Sequence, residues 1–305
     1  MSTPSRGMHK LAVCCLNISE GRDIHLINRI AHAAVRHQPT SPTPPFKCDT
    51  TVLSVYSDPV FNRSNVTIAS TVRNLARSVS DACAVAFEAL DLTRHVGANH
   101  PRLGVVDLIP VHPLSASVSL EDCSEVAHHI GQLITNQRNE FNFDEESISI
   151  ESKKQELSIA ANASKTKQST NTTSMQQQQN PSVFYFGKAD HENRDLVARR
   201  KGMQWFDGSH GQPNPDLGTF SEKYGITAIG AIPYMSVLNV LLDTDDLEFG
   251  KNIASNIRQR NKTTGLEGVQ AMAFLKGSKV EIACNIDTND LQSQVSIKNI
   301  HKTYF

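Results

Sequence analysis

The chain has 305 residues, enough for one large domain or two modest ones, each able to bury a core of its own. Its formal net charge of -1 argues against wholesale binding to nucleic acid, and no apolar run approaches the roughly 18 residues that a membrane span needs. The apolar stretch Leu11 to Leu16 is too short for a signal-peptide core of about 7–15 residues, so the expected location is the cytoplasm.

Leu11 to Leu16 predicts a short buried strand. From Asp23 onward Ile24, Ile27, Ile30, Ala31 and Ala34 recur at helical spacing, which predicts an amphipathic helix that Pro39, Pro42, Pro44 and Pro45 end. Strands are expected at Thr51 to Tyr56 and Asn65 to Ala69, with a loop over Ser57 to Arg63. The next helix carries Val72, Leu75, Ala76, Val79, Cys83, Ala86 and Leu90 on one face. A long apolar strand, Leu103 to Val111, follows. Ser119 then caps a helix with Cys123, Val126, Ile130, Leu133 and Ile134 inward. The order strand, helix, strand, strand, helix, strand, helix predicts an α/β fold of the α+β type: a ferredoxin-like split βαβ unit with helices on one face of a mixed sheet.

From about Glu140 to Pro181 the composition turns to Ser, Asn, Gln, Thr and Lys, with the run Gln176 to Gln179. Such a segment buries too little apolar surface to offset its ordering entropy and is expected to be a disordered insertion. A strand at Val183 to Phe186 restores order. A second block begins near Tyr224, with apolar stretches at Ile226 to Ala231 and Val237 to Leu242. A helix from about Asp246 to Gln259 and strands at Gly268 to Leu275 and Lys279 to Asn285 complete it. This second ferredoxin-like unit is expected to be cut short after β, α, β, β, and its unpaired edge predicts either association into a homodimer or a native chain longer than this one.

The six cysteines, Cys14, Cys15, Cys48, Cys83, Cys123 and Cys284, lack the paired spacing of zinc or redox sites and are expected to be free thiols. His95, His100 and His112 match no tight ligand spacing either, so no metal is expected.

The densest chemistry lies in Arg94-His95-Val96-Gly97-Ala98-Asn99-His100-Pro101-Arg102-Leu103-Gly104-Val105-Val106-Asp107, where two histidines and two arginines crowd the turn between a helix and a buried strand. Pro101 biases His100 toward extended backbone, and Gly104 admits a ligand or a neighbouring backbone. Asn17, in Leu16-Asn17-Ile18-Ser19-Glu20-Gly21, offers an amide to a ligand and serves equally as a helix cap. Asp58-Pro59-Val60-Phe61-Asn62-Arg63 places a carboxylate, an amide and a guanidinium in one loop, although turn chemistry accounts for Asp58 and Pro59 equally well. Pro215 to Gly225 is a glycine-bounded loop with two aromatics, suited to a flat ring or to a linker.

Together these segments resemble the formiminotransferase domain of formiminotransferase-cyclodeaminase, and more closely the stand-alone formiminotransferase N-terminal subdomain-containing proteins. The likeness runs through Cys14 to Gly21, His95 to Asp107, Ser119 to Cys123, Tyr185-Phe186-Gly187, Pro215 to Gly225 and Gly268 to Ala273. It implies an N-terminal subdomain over 8–214, with the polar insertion at 140–181, and an incomplete C-terminal subdomain over 215–305. It implies further that tetrahydrofolate is the co-substrate and that a formimino group passes to its N5 from N-formiminoglutamate. His100 would be the catalytic acid/base, taking a proton from N5 and returning it to the departing amine. The resemblance assigns Asn17, Asp58, Asn62, Arg63, Arg94, Arg102 and Gly104 to the substrate, the two arginines to its carboxylates. Gly218, Thr219, Phe220, Ser221, Tyr224 and Gly225 fall to folate. The chain departs from the bifunctional enzyme before His100, where Ala98-Asn99 replaces an acidic residue and one more residue separates the two histidines. The alternative function is a folate-binding or interaction protein without turnover.

Overall fold

The computed structural model describes residues 10–36, 50–95, 102–135, 180–202, 214–258 and 263–287. The expected disordered insertion lies almost wholly outside the described residues, as does His100.

The first half follows the predicted order: β1 (Leu11–Ile18), α1 (Ile24–Ala33), β2 (Thr50–Asp58), β3 (Arg63–Thr71), α2 (Val72–Ala89), β4 (Val106–Pro113) and α3 (Leu120–Ile134). Next come β5 (Ser182–Gly187), α4 (Leu196–Gly202), β6 (Ile226–Ala231), β7 (Met235–Leu242), α5 (Leu247–Ile257), β8 (Val269–Lys276) and β9 (Lys279–Asp287). The fold is mixed α/β of the α+β kind. A six-stranded sheet runs in the order β2-β3-β1-β4-β6-β5, and a three-stranded sheet in the order β7-β9-β8. β2, β3, β1 and β4 each run antiparallel to the next, the split arrangement expected, and β6 and β5 extend that sheet in parallel.

Alternation along β1 builds the core. Ala12, Cys14, Leu16 and Ile18 are fully buried and pack with Leu26, Ile27 and Ile30 of α1, Leu75 and Val79 of α2, and Val126 and Ile130 of α3. Each such aliphatic side chain contributes about 1.5–3 kcal/mol by leaving water. Helix ends are fixed by caps: Asp23 accepts from the Leu26 N–H at 2.9 Å, and Ser119 and Asp122 form a reciprocal capping box. On the opposite face Phe184, Phe186, Ile226 and Ala228 form a smaller cluster, covered by Leu196 of the short helix α4.

Two boundaries differ from expectation. Ile226–Ala231, grouped above with the second block, hydrogen-bonds to β4 and β5, so the two sheets divide between Ala231 and Met235. The strand expected from Leu103 begins at Val106, because the Leu103 N–H turns onto the Asp107 carboxylate at 2.7 Å and Gly104 forms an isolated bridge with Gly225. Among the described residues no helix is long and apolar enough to cross a membrane.

Candidate functional site

The C-terminal end of β1 and the N-terminal ends of β3 and β4 meet at one margin of the six-stranded sheet, where Ile18 pairs with both Ser64 and Val106. Asp107, with no solvent exposure, sits there among cations. Arg63 Nη2 reaches its Oδ2 at 2.8 Å, and Arg200 Nη2 of α4 lies 3.4 Å from the same oxygen. A buried carboxylate is tolerated only when paired and hydrogen-bonded, and here the Leu103 N–H takes the second oxygen. Burial pushes the Arg200 guanidinium down to about 10, against the pull of Asp107.

Arg102 adjoins this group. Its Nη1 lies 2.7 Å from His95 Nδ1 and 3.5 Å from the Ser19 carbonyl. A guanidinium only donates, so His95 Nδ1 must accept, which leaves its proton on Nε2, 3.8 Å from Glu20. Burial, then the charge of Arg102, holds His95 below the ordinary histidine range. His95 is therefore a neutral ring that orients Arg102.

The β2–β3 loop closes the site from one side. Asp58 Oδ1 accepts from the N–H groups of Val60 and Phe61 at 2.9 and 3.0 Å, an Asx turn. Asn62, at φ 49°, accepts from the Gly21 N–H through its Oδ1 at 2.9 Å. Only glycine fits at 21, since a Cβ there would stand 2.6 Å from the Arg63 nitrogen.

The remaining expected site residues are distributed unevenly. Asn17 points its amide to the Cys15 carbonyl at 3.1 Å, and Asp23, not Asn17, caps α1. Arg94 is 85% exposed, beside Asp91, and is not drawn into the cluster. A Cβ on Gly104 would lie 2.5 Å from the Ile226 carbonyl, so this glycine serves a neighbouring backbone. Gly218 and Gly225 have φ of +78° and +66° and also abut backbone. The ring of Tyr224 packs edge-on to Phe87 at 5.5 Å beside the core, and Ser221 is buried, whereas Phe220 is exposed. Thr219 lies in the same loop. Arg200 and Asp107 had no expected role. A lone carboxylate inside the apolar run Leu103 to Val111 is the signal that marks Asp107, because such a group requires a partner.

The chain's residues 11–159 match the family model described as the formiminotransferase domain, N-terminal subdomain. A glutamate formimidoyltransferase of Thermoplasma acidophilum is 29% identical over 286 residues, covering 90% of this chain and 76% of the relative. A formiminotransferase cyclodeaminase-like protein of Arabidopsis thaliana is 28% identical over 297 residues, covering 90% and 82%. The formimidoyltransferase-cyclodeaminase of Gallus gallus is 32% identical over 263 residues, which is 84% of this chain but 38% of that longer protein. Residues 11–159 thus match the N-terminal subdomain of the formiminotransferase domain, and similarity to formiminotransferase-type relatives extends through most of a chain whose split βαβ sheet gathers Arg63 and Arg102 at one margin.

Proposed function

We propose that the chain is a formimidoyl transferase that moves a formimino group from N-formiminoglutamate to N5 of tetrahydrofolate. The observation that carries this reading is the gathering of Arg63, Arg102 and Arg200 at the margin that also bears Asp107 and the start of the His95 to Asp107 motif. Guanidinium groups grip carboxylates in bidentate fashion, and both substrates carry glutamate carboxylates. The donor set therefore suits them.

Tetrahydrofolate supplies the N5 amine that receives the group. His100 accepts the proton that N5 gives up as the new C–N bond forms. It returns that proton to the glutamate nitrogen as the old C–N bond breaks, so the amine leaves neutral. An unperturbed imidazole, with pKa of about 6.5, can do both near neutral pH. His95 is less suited, because its Nδ1 is committed to Arg102. Arg63 and Arg102 would hold the donor, Asn62 would fix the loop beside it, and Asp107 would keep Arg63 aimed. Folate would lie toward Phe220, the exposed aromatic of the 215–225 loop. No residue in this scheme requires a metal, and the expected location is the cytoplasm.

The reading is tested by calorimetry with tetrahydrofolate, followed by an assay of glutamate release from N-formiminoglutamate. Binding with stoichiometric transfer supports it. Binding without transfer favours the folate-binding alternative, and no binding removes both.

A further inference from the structure

Lys276, the last residue of β8, belongs to the second sheet yet makes its shortest contact with the first. Its Nζ lies 2.5 Å from Asp58 Oδ2, 2.9 Å from Glu281 Oε2 and 4.9 Å from the centre of the Phe61 ring. Phe274, two residues earlier on the same face of β8, meets Phe61 edge-on at 6.4 Å. Glu281 is buried on the face of β9 opposite the core residues Val280 and Ile282, and Asn239 of β7 donates to it at 3.2 Å. The ammonium is thus held between a carboxylate fixed in the second sheet and a carboxylate that organises the β2–β3 loop. Burial alone would raise the Asp58 carboxyl, but hydrogen bonds from Lys276 and from Phe61 and Val60 outweigh it and hold the group below its ordinary range.

On the side of the first sheet the loop is anchored by the Asx turn, by the Ser57–Ser64 hydroxyl pair at 2.8 Å, and from the β1–α1 turn by the Asn62 bond to Gly21 and the Arg22 Nε bond to the Pro59 carbonyl at 3.1 Å. Arg63 follows Asn62 directly and leads to Asp107. Displacement of Asp58 would therefore be felt at Arg63 within five residues of chain.

We propose that Lys276 is a positioning residue: it latches the second sheet to the β2–β3 loop through Asp58 and so sets where Asn62 and Arg63 stand in the site. Lys276 acts through Asp58. Its role in transfer rests on the function proposed above, whereas the latch itself does not.

The experiment uses the full chain carrying Lys276→Met, Lys276→Arg, Asp58→Asn, or Asp58→Asn with Lys276→Met. Hydrogen exchange of the Val60 and Phe61 amides reports the loop without reference to activity. Lys276→Met is expected to speed that exchange about tenfold, a coupling of ordinary strength between contacting residues, and to raise KM for N-formiminoglutamate by a similar factor with kcat within about threefold. Lys276→Arg keeps the charge and should recover most of both losses, and the double variant should be little worse than Asp58→Asn alone. Unchanged exchange in Lys276→Met, or fully additive effects in the double variant, would overturn the latch. Faster exchange with an unaltered KM would overturn the positioning role. Should the unmodified chain fail to turn over, the transferase reading falls, and the exchange data still decide for or against the latch.

Discussion

Arg63 and Asp107 form an ion pair of 2.8 Å across the end of β1, the strand that lies between theirs, and the carboxylate has no exposure to solvent. Breaking a buried pair by removing one charge leaves the other uncompensated. Asp107→Asn would remove the negative charge that pairs with Arg63 and lies beside Arg200, so we expect a loss of about 3–5 kcal/mol in urea unfolding. A loss below about 1 kcal/mol would show that water already screens this cluster.

Glycine substitutions should separate sharply by surroundings. Gly104→Ala places a methyl 2.5 Å from the Ile226 carbonyl, where backbone must move, and is expected to cost about 1–3 kcal/mol. Gly202, at the end of α4, has nothing within 4 Å of the position a Cβ would take. Gly202→Ala should leave thermal stability unchanged or raise it by up to about 1 kcal/mol. Melting curves of the two variants, measured side by side, check the contrast.

Among the described residues the side chain of Ser119 bonds only within its own cap, to Asp122. Its Oγ accepts from the Asp122 N–H at 3.1 Å, and Asp122 Oδ2 accepts from the Ser119 N–H at 2.8 Å. Ser119→Ala should destabilise the fold by about 0.5–2 kcal/mol, with faster amide exchange in the first turn of α3. Uniform change across the chain would contradict a local cap.

Buried neutral histidines give the stability a definite pH dependence. His112 Nδ1 lies 3.1 and 3.0 Å from the carbonyl oxygens of Ile232 and Pro233, in the link between the two sheets. Burial lowers its pKa, although those carbonyls pull the other way. The unfolded chain therefore takes up the proton first. The contribution of the neutral ring is complete above a pH of about 6.5 and is lost as pH falls through that value toward the folded pKa. His95, lowered by burial and Arg102, acts with the same sign. Melting temperature should decline from pH 7 to pH 5. His112→Asn, whose amide still donates from near the place of Nδ1, should flatten that decline without abolishing it. An unaltered slope would assign the pH dependence elsewhere.

Elements governed by local periodicity were legible in the sequence. α1, α2 and α3 each repeat apolar residues over several turns, and the split order of strands follows from them. α4 was not, because its seven residues span only two turns and its one large core contact is Leu196. With it went Arg200, which reaches Asp107 through tertiary packing alone. Lys276 at a strand end looks like an ordinary solvated cation, since one of its two carboxylate partners, Asp58, lies in the other sheet. The glycines of the 215–225 loop stand out in the sequence without declaring their role. The structure explains Gly218 and Gly225 by close backbone neighbours, and it seats Tyr224 beside Phe87. Composition distinguishes none of these from ligand contacts.

In the proposed reaction His100, and not the neighbouring His95, moves the proton during formimino transfer. Glutamate release at saturating tetrahydrofolate and N-formiminoglutamate by the unmodified chain, His100→Ala and His95→Ala distinguishes the two histidines. A positioned acid/base contributes about 10²–10⁴ in rate and little to ground-state affinity. His100→Ala should lose that factor in kcat with tetrahydrofolate affinity within a few fold, while His95→Ala, which frees Arg102, should mainly raise KM. Equal losses of kcat in both variants, or full turnover by His100→Ala, would contradict the account.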